Sequence, residues 1–140
     1  MNVAEIEDKI IEALEALGIF SAIDSIAQNE EPPSLSYPSA FIYLFSETEA
    51  SGADRNPRPV YDLVYEVIVI NENMYSKREA QSLTYDLLDQ VRDALNRKDL
   101  GITDINGFRC ISRKFIQYID GEISYALQFK TTQYLPVPTG

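Results

Sequence analysis

Val60-Tyr-Asp-Leu-Val-Tyr-Glu-Val-Ile-Val-Ile70 is the stretch from which the fold can be read. It has no Gly or Pro, and six of its eleven residues are Val or Ile. Such a composition suits a pleated, half-buried surface, so the run predicts a strand. Side chains alternate between faces with a period of two. Tyr61, Leu63, Tyr65, Val67 and Val69 therefore share one face, which is apolar throughout and faces the core. Asp62, Val64, Glu66, Ile68 and Ile70 share the other, polar early and apolar late. That second face either emerges from a covered region or meets another subunit.

Upstream, Ser39–Ser46 reads Ser-Ala-Phe-Ile-Tyr-Leu-Phe-Ser, apolar on both faces, as a doubly buried strand is. Tyr37-Pro38 sets an extended approach to it. Residues 47–59, which include Glu47, Glu49, Asp54, Arg55 and Arg58, form a long polar loop. A loop of that length in a small domain is usually functional or disordered. Downstream, Ser76 and Glu79 make a capping box that opens a helix over 76–96. Its stripe is Ala80, Leu83, Leu87, Val91 and Leu95. Residues 107–119 and 122–134 read as a closing hairpin around Asp120-Gly121, a strong tight-turn signal. In its second strand Ile123, Tyr125, Leu127 and Phe129 point inward. The first strand alternates poorly, which predicts a bulge near Arg113-Lys114.

The N-terminal segment, 2–17, is a helix capped by Asn2 with Glu5 three residues on. Ile6, Ile10, Leu14 and Leu17 form its stripe, and Gly18 stops it. Residues 19–38 read as irregular, with a linker at Glu30-Glu31-Pro32-Pro33-Ser34. Residues 135–140 are a Pro-rich tail. The order is thus α-β-β-α-β-β over a single domain, 1–134. The expected class is α+β, with one mostly antiparallel four-stranded sheet and both helices on one face. The opposite face would be a large exposed apolar surface, which points to a partner or to self-association.

Composition narrows the chemistry. The 140 residues are 45% apolar and 24% charged, the balance of a globular domain. No apolar run approaches the roughly 18 residues of a membrane helix. The start is acidic rather than basic, so no signal peptide is expected. The one cysteine, Cys110, has no partner for an internal disulfide, which fits a reducing compartment. There is no histidine at all. That removes Ser-His and Cys-His nucleophile pairs and every His-ligated metal site. Asp99 and Asp104 flank Gly101 without an EF-hand spacing. Asp62 and Glu66 are better read as a polar rim or as partners for a basic residue across strands. Cys110 is better read as packed than as reactive. No phosphate loop or dinucleotide fingerprint is present. The expectation is a non-enzymatic chain without catalytic residues, metal or cofactor.

Charge is segregated. The net charge is −10, from 22 acids and 12 bases. Residues 1–54 hold 11 acids and a single base, Lys9, and the remainder holds 11 of each. The whole excess therefore lies in the first part. An acidic side of this kind can meet a basic patch elsewhere, or simply be a solvated helix face. Arg109, Arg113 and Lys114 are the nearest thing to a basic patch, too few for phosphate binding, so no specific nucleic-acid contact is expected.

The succession of an opening amphipathic helix, "YPSAFIYLFSE", a long polar loop, "PVYDLVYEVIVI", the capped helix "SKREAQSLTYDLLDQVRDAL" and the hairpin "RCISRKFIQYIDGEISYALQFKTTQY" resembles the tail terminator and minor tail proteins of long-tailed bacteriophages and prophages, in particular the Mu-like small tail protein family. The likeness spans about residues 2–134 and rests on element order and composition rather than a signature motif. It implies a six-membered ring that caps the tail tube and joins it to the head connector, acting sterically. It implies as partners other copies of the chain, the tail tube protein and the connector protein. The places implied are the virion tail and, during assembly, the host cytoplasm. DNA would pass through a net-negative lumen without being gripped. A head-to-tail ring needs two complementary surfaces per protomer. The acidic first helix, with Glu5, Asp8, Glu12 and Glu15, is expected to be one, and Arg109, Arg113 and Lys114 the other. The loop carrying Glu47, Glu49, Asp54, Arg55 and Arg58 is expected to order on ring formation or on tube contact. The rival readings are a head–tail neck or completion protein and, in a different class, a small-molecule-binding α+β module.

Overall fold

A computed structural model describes residues 2–26, 37–50, 60–72 and 76–134. The linker at 30–34, Asp54, Arg55 and Arg58 of the polar loop, and the tail at 135–140 lie outside these. The elements are α1 (Val3–Glu15), β1 (Ala22–Ser25), β2 (Ser39–Glu49), β3 (Val60–Glu72), α2 (Lys77–Leu95), β4 (Arg109–Ile119) and β5 (Glu122–Tyr134).

The sheet has five strands, in the order β1-β2-β3-β5-β4. β1 runs parallel to β2, and every other neighbouring pair is antiparallel, so the sheet is mixed. This corrects the expected four-stranded, mostly antiparallel sheet. The missed strand, Ala-Ile-Asp-Ser, is four residues long, too short for a period to show in the sequence. It is held by a register from Ala22↔Ser39 to Ser25↔Ile42 and by flanking bonds from Ser21 N–H to Pro38 O and Ile26 N–H to Ile42 O. The polar loop also starts later than expected. β2 continues to Glu49, so Glu47 and Glu49 are strand residues opposite Leu63 and Tyr61.

Both helices are capped as the sequence requires. Glu5 N–H donates to Asn2 Oδ1 at 2.8 Å, and Glu79 N–H to Ser76 Oγ at 3.1 Å. Each bond satisfies one of the donors a helix N-terminus leaves open. α1 packs on β1 and β2, α2 packs on β3, β5 and β4, and the helices touch each other. One core joins Ile6, Ile10 and Leu14 of α1 to Val91 and Leu95 of α2 and to the helix-facing residues of β2, β3 and β5. Tyr65 adds an anchor, its hydroxyl donating to Val3 O at 2.8 Å.

The α2 stripe differs from the expected one. The buried positions are Ala80, Thr84, Leu88, Val91 and Leu95. Thr84 qualifies for burial because its hydroxyl donates to Ala80 O, four residues back. Leu83 is 46% exposed and Leu87 half-buried. The β4–β5 turn has the expected form: Asp120 (φ 51°) and Gly121 (φ 80°) are both left-handed, as a two-residue type I′ turn demands.

Candidate interaction surface

β4 is an edge strand. Among the described residues, no strand pairs with its outer side. Two bulges break its ladder with β5: the register steps from Cys110 to Ser112 and from Phe115 to Gln117. The expectation of one bulge at Arg113-Lys114 is thus corrected to two, centred on Ile111 and Ile116. Each bulge frees an isoleucine from the alternation and turns it outward. Ile111 is 44% exposed, Ile116 43%, Phe115 40% and Ile119 56%. Nearly the whole strand is exposed. A long apolar edge of this kind is an association site unless something blunts it.

The aromatic side chains extend this edge onto α2. Tyr125 makes edge-on contacts with Phe115 and with Tyr85 at centroid distances of 5.5 and 5.6 Å. Lys77 Nζ lies 4.9 Å above the Phe115 ring, a cation–π contact. Tyr85 itself is 41% exposed.

The sequence-selected basic residues separate here. Arg113 turns toward the helices and donates to Asp89 Oδ1 at 2.5 Å. The Asp89 carboxyl is held below the usual carboxylate range by this bond first; burial, the next-largest effect, opposes it, and the Arg113 and Arg92 charges add to the lowering. Arg113→Ala should return the Asp89 titration towards that range. Two-dimensional NMR of the carboxyl carbons against pH would show it. An unchanged midpoint would remove the pair from the account. Arg109 and Lys114 stand on the opposite face from Arg113, since they oppose Lys130 and Ala126 in the register. The structure thus does not bring the three together as one patch.

It does bring Arg109 to other cations. A cleft of about 420 Å³ is lined by Asp62, Arg97, Asn106, Gly107, Phe108, Arg109, Lys130, Thr131 and Thr132. Asp62 accepts from Thr132 Oγ1 at 2.9 Å and lies 3.7 Å from Lys130 Nζ. Asp62 is therefore the partner of a base across strands, and Glu66 accepts from Gln128 Nε2 at 3.2 Å. Arg97 and Lys130 are candidates that the sequence hid, because Lys130 meets Arg109 only across the β4–β5 ladder and Arg97 is brought beside it by the bond from its N–H to Phe108 O.

The acids collect at the other side. Glu5, Glu7, Asp8, Glu12 and Glu15 of α1, Asp24 of β1 and Glu47 and Glu49 of β2 form one flank whose single base is Lys9. Lys9 already lies 3.5 Å from Glu12. Burial raises the Glu7 carboxyl.

No group of three or more metal-ligating side chains is found among the described residues. Asp99 caps its own turn, accepting from Gly101 N–H at 2.9 Å. Burial pushes the Cys110 thiol up despite the nearby Arg113 and Arg92. The Tyr37 hydroxyl, which donates to Glu122, is pushed up to about 12 by that bond. Tyr125 is pushed up to about 12, first by burial and then by Tyr85. No helix among the described residues is long and apolar enough to cross a membrane.

No protein-family profile matches the chain, and no curated protein matches it. A solved structure does. A chain of the virion of the native gene transfer agent particle is similar at a TM-score of 0.55 and 19% identity, over 94% of this chain and 94% of that one. At that identity the likeness establishes a shared fold.

Proposed function

We propose that this protein is a non-enzymatic structural component of a phage-like particle, and specifically a ring-forming tail terminator that caps the tail tube and meets the head connector. The observation that carries the virion reading is the end-to-end match, 94% of both chains, with a chain of a gene transfer agent virion. A fold can host many functions, so the exposed β4 edge supplies the second support. Ile111, Phe115, Ile116 and Ile119 project from one edge while the acids gather at the other. Unlike edges on one protomer suit head-to-tail contacts, which close into rings. Hexameric closure comes from the resemblance to tail terminators.

Native mass spectrometry over a concentration series tests it. A closed ring, hexameric and weakened by salt, is expected. A stable two-fold dimer at every concentration would overturn the head-to-tail reading. Capture of assembled tail tube by the purified protein is the second expected result. Capture of portal instead would move the protein to the neck, the rival assignment within the same particle.

A further inference from the structure

We infer that the cleft lined by Arg97, Asn106, Arg109 and Lys130 is a receptor for a phosphate group. The inference stands apart from the ring reading and holds or fails without it.

The cleft is assembled from four places in the chain. Arg97 follows the α2 exit, where its N–H donates to Phe108 O. Asn106 is tied to β5. Its N–H donates to Thr132 O, and its Oδ1 accepts from Thr132 N–H at 2.9 Å and from Thr131 Oγ1 at 3.3 Å. Arg109 opens β4, and Lys130 stands directly opposite it on β5. Together with Asp62 they line one concavity of about 420 Å³.

The concavity is rich in donors and short of acceptors. Its one carboxylate, Asp62, already serves Lys130 and Thr132. Among the described residues, Arg97 and Arg109 form no ion pair. The backbone N–H held by Asn106 Oδ1 fixes the orientation of the amide, and Nδ2 is left as a donor without an acceptor among the described residues. Like charges directly opposite on neighbouring strands are destabilising, yet Arg109 and Lys130 form such a pair. This local surplus runs against the charge of the whole chain, which is −10. An anion held between the cations replaces their repulsion by two attractions.

The arrangement suits phosphate better than carboxylate. A carboxylate offers two oxygens in one plane, which a single arginine satisfies in bidentate fashion. A phosphate group offers three acceptor oxygens, and the donors here come from four separate segments. Arginine meets phosphate with its fork and lysine as a point charge. A free phosphate and a DNA backbone share this chemistry, and the test separates them.

The experiment is isothermal titration calorimetry of the full-length chain at neutral pH and constant ionic strength, with chloride as the background anion. The titrants are inorganic phosphate, acetate and a short DNA duplex. The proteins are wild type, R97Q/R109Q and K9Q/R78Q, the last removing two positive charges from α1 and α2 outside the cleft. Arg97 and Arg109 are exposed, and circular dichroism verifies that each variant is folded. Phosphate should bind wild type and K9Q/R78Q saturably and R97Q/R109Q about tenfold or more weakly. Duplex binding with the same dependence on Arg97 and Arg109 makes a DNA backbone the source of the group; phosphate binding without it makes the source a free phosphate. Wild type that binds neither phosphate nor duplex overturns the inference. So does equal weakening in both variants, which would reduce the effect to overall charge, and so does acetate that binds as tightly as phosphate.

Discussion

Phe108→Ala is expected to lower the stability of the fold by about 3–5 kcal/mol, the usual cost of truncating a buried aromatic side chain. Phe108 is 1% exposed and meets the Tyr65 ring edge-on at 6.4 Å. Its backbone ties the α2 exit to the β4 entry, with Arg97 N–H donating to Phe108 O and Phe108 N–H to Lys98 O. Truncation therefore opens a cavity where α2, β3 and β4 meet, and loosens the wall of the basic cleft. A urea titration should show a lower midpoint at an unchanged slope. Leu83→Ala is the control. Leu83 is 46% exposed, so its loss should cost within about 0.5 kcal/mol, as surface changes do. Equal losses for the two variants would contradict the burial pattern of α2.

That control marks where the sequence ran out. Six of the seven elements and both caps were legible because each carries its own signal. β3 has period two without a breaker, α1 and α2 have helical stripes with Asn2 and Ser76 in front, and Asp120-Gly121 fixes the closing turn. β1 carried no signal, since four residues cannot display a period and its parallel partner is set by tertiary packing. Leu83 and Thr84 exchanged places because leucine was weighed by hydropathy alone. A threonine that bonds the carbonyl four residues back loses its polar penalty and fits inside. The interaction surface was legible only in part. Arg109 was found through local charge density, and Arg113 for the same reason, yet strand alternation and the bulge at Ile111 place them on opposite faces. Lys130 is joined to Arg109 only by the β4–β5 register, and Arg97 only by the bond from its N–H to Phe108 O, neither of which local sequence displays. The acids of α1 and β2 were read as one excess because they share the first 54 residues.

The second large effect belongs to the β4 edge. The double variant I116K/I119K should abolish ring formation while leaving the protomer as stable as wild type. Ile116 and Ile119 are 43% and 56% exposed, so lysine replaces side chains that already stand largely in water, and folding loses little. In an assembled ring the same positions would be buried. Covering the exposed parts of two isoleucines contributes about 1–3 kcal/mol at each contact. Lysine there adds the cost of desolvating a charge. A loss of this size weakens each contact by about tenfold to a hundredfold or more, and in a closed ring every contact suffers it. Lysine also raises the positive charge of an edge that faces acids. Charge attraction alone therefore predicts tighter association, whereas apolar burial predicts its loss. Sedimentation velocity read beside a urea titration separates the two. Rings lost at unchanged stability identify the β4 side chains as the adhesive surface. Rings that survive would show that the edge bulges, which turn Ile111 and Ile116 out of the ladder, serve only to keep the strand from pairing, and the contact would have to lie elsewhere.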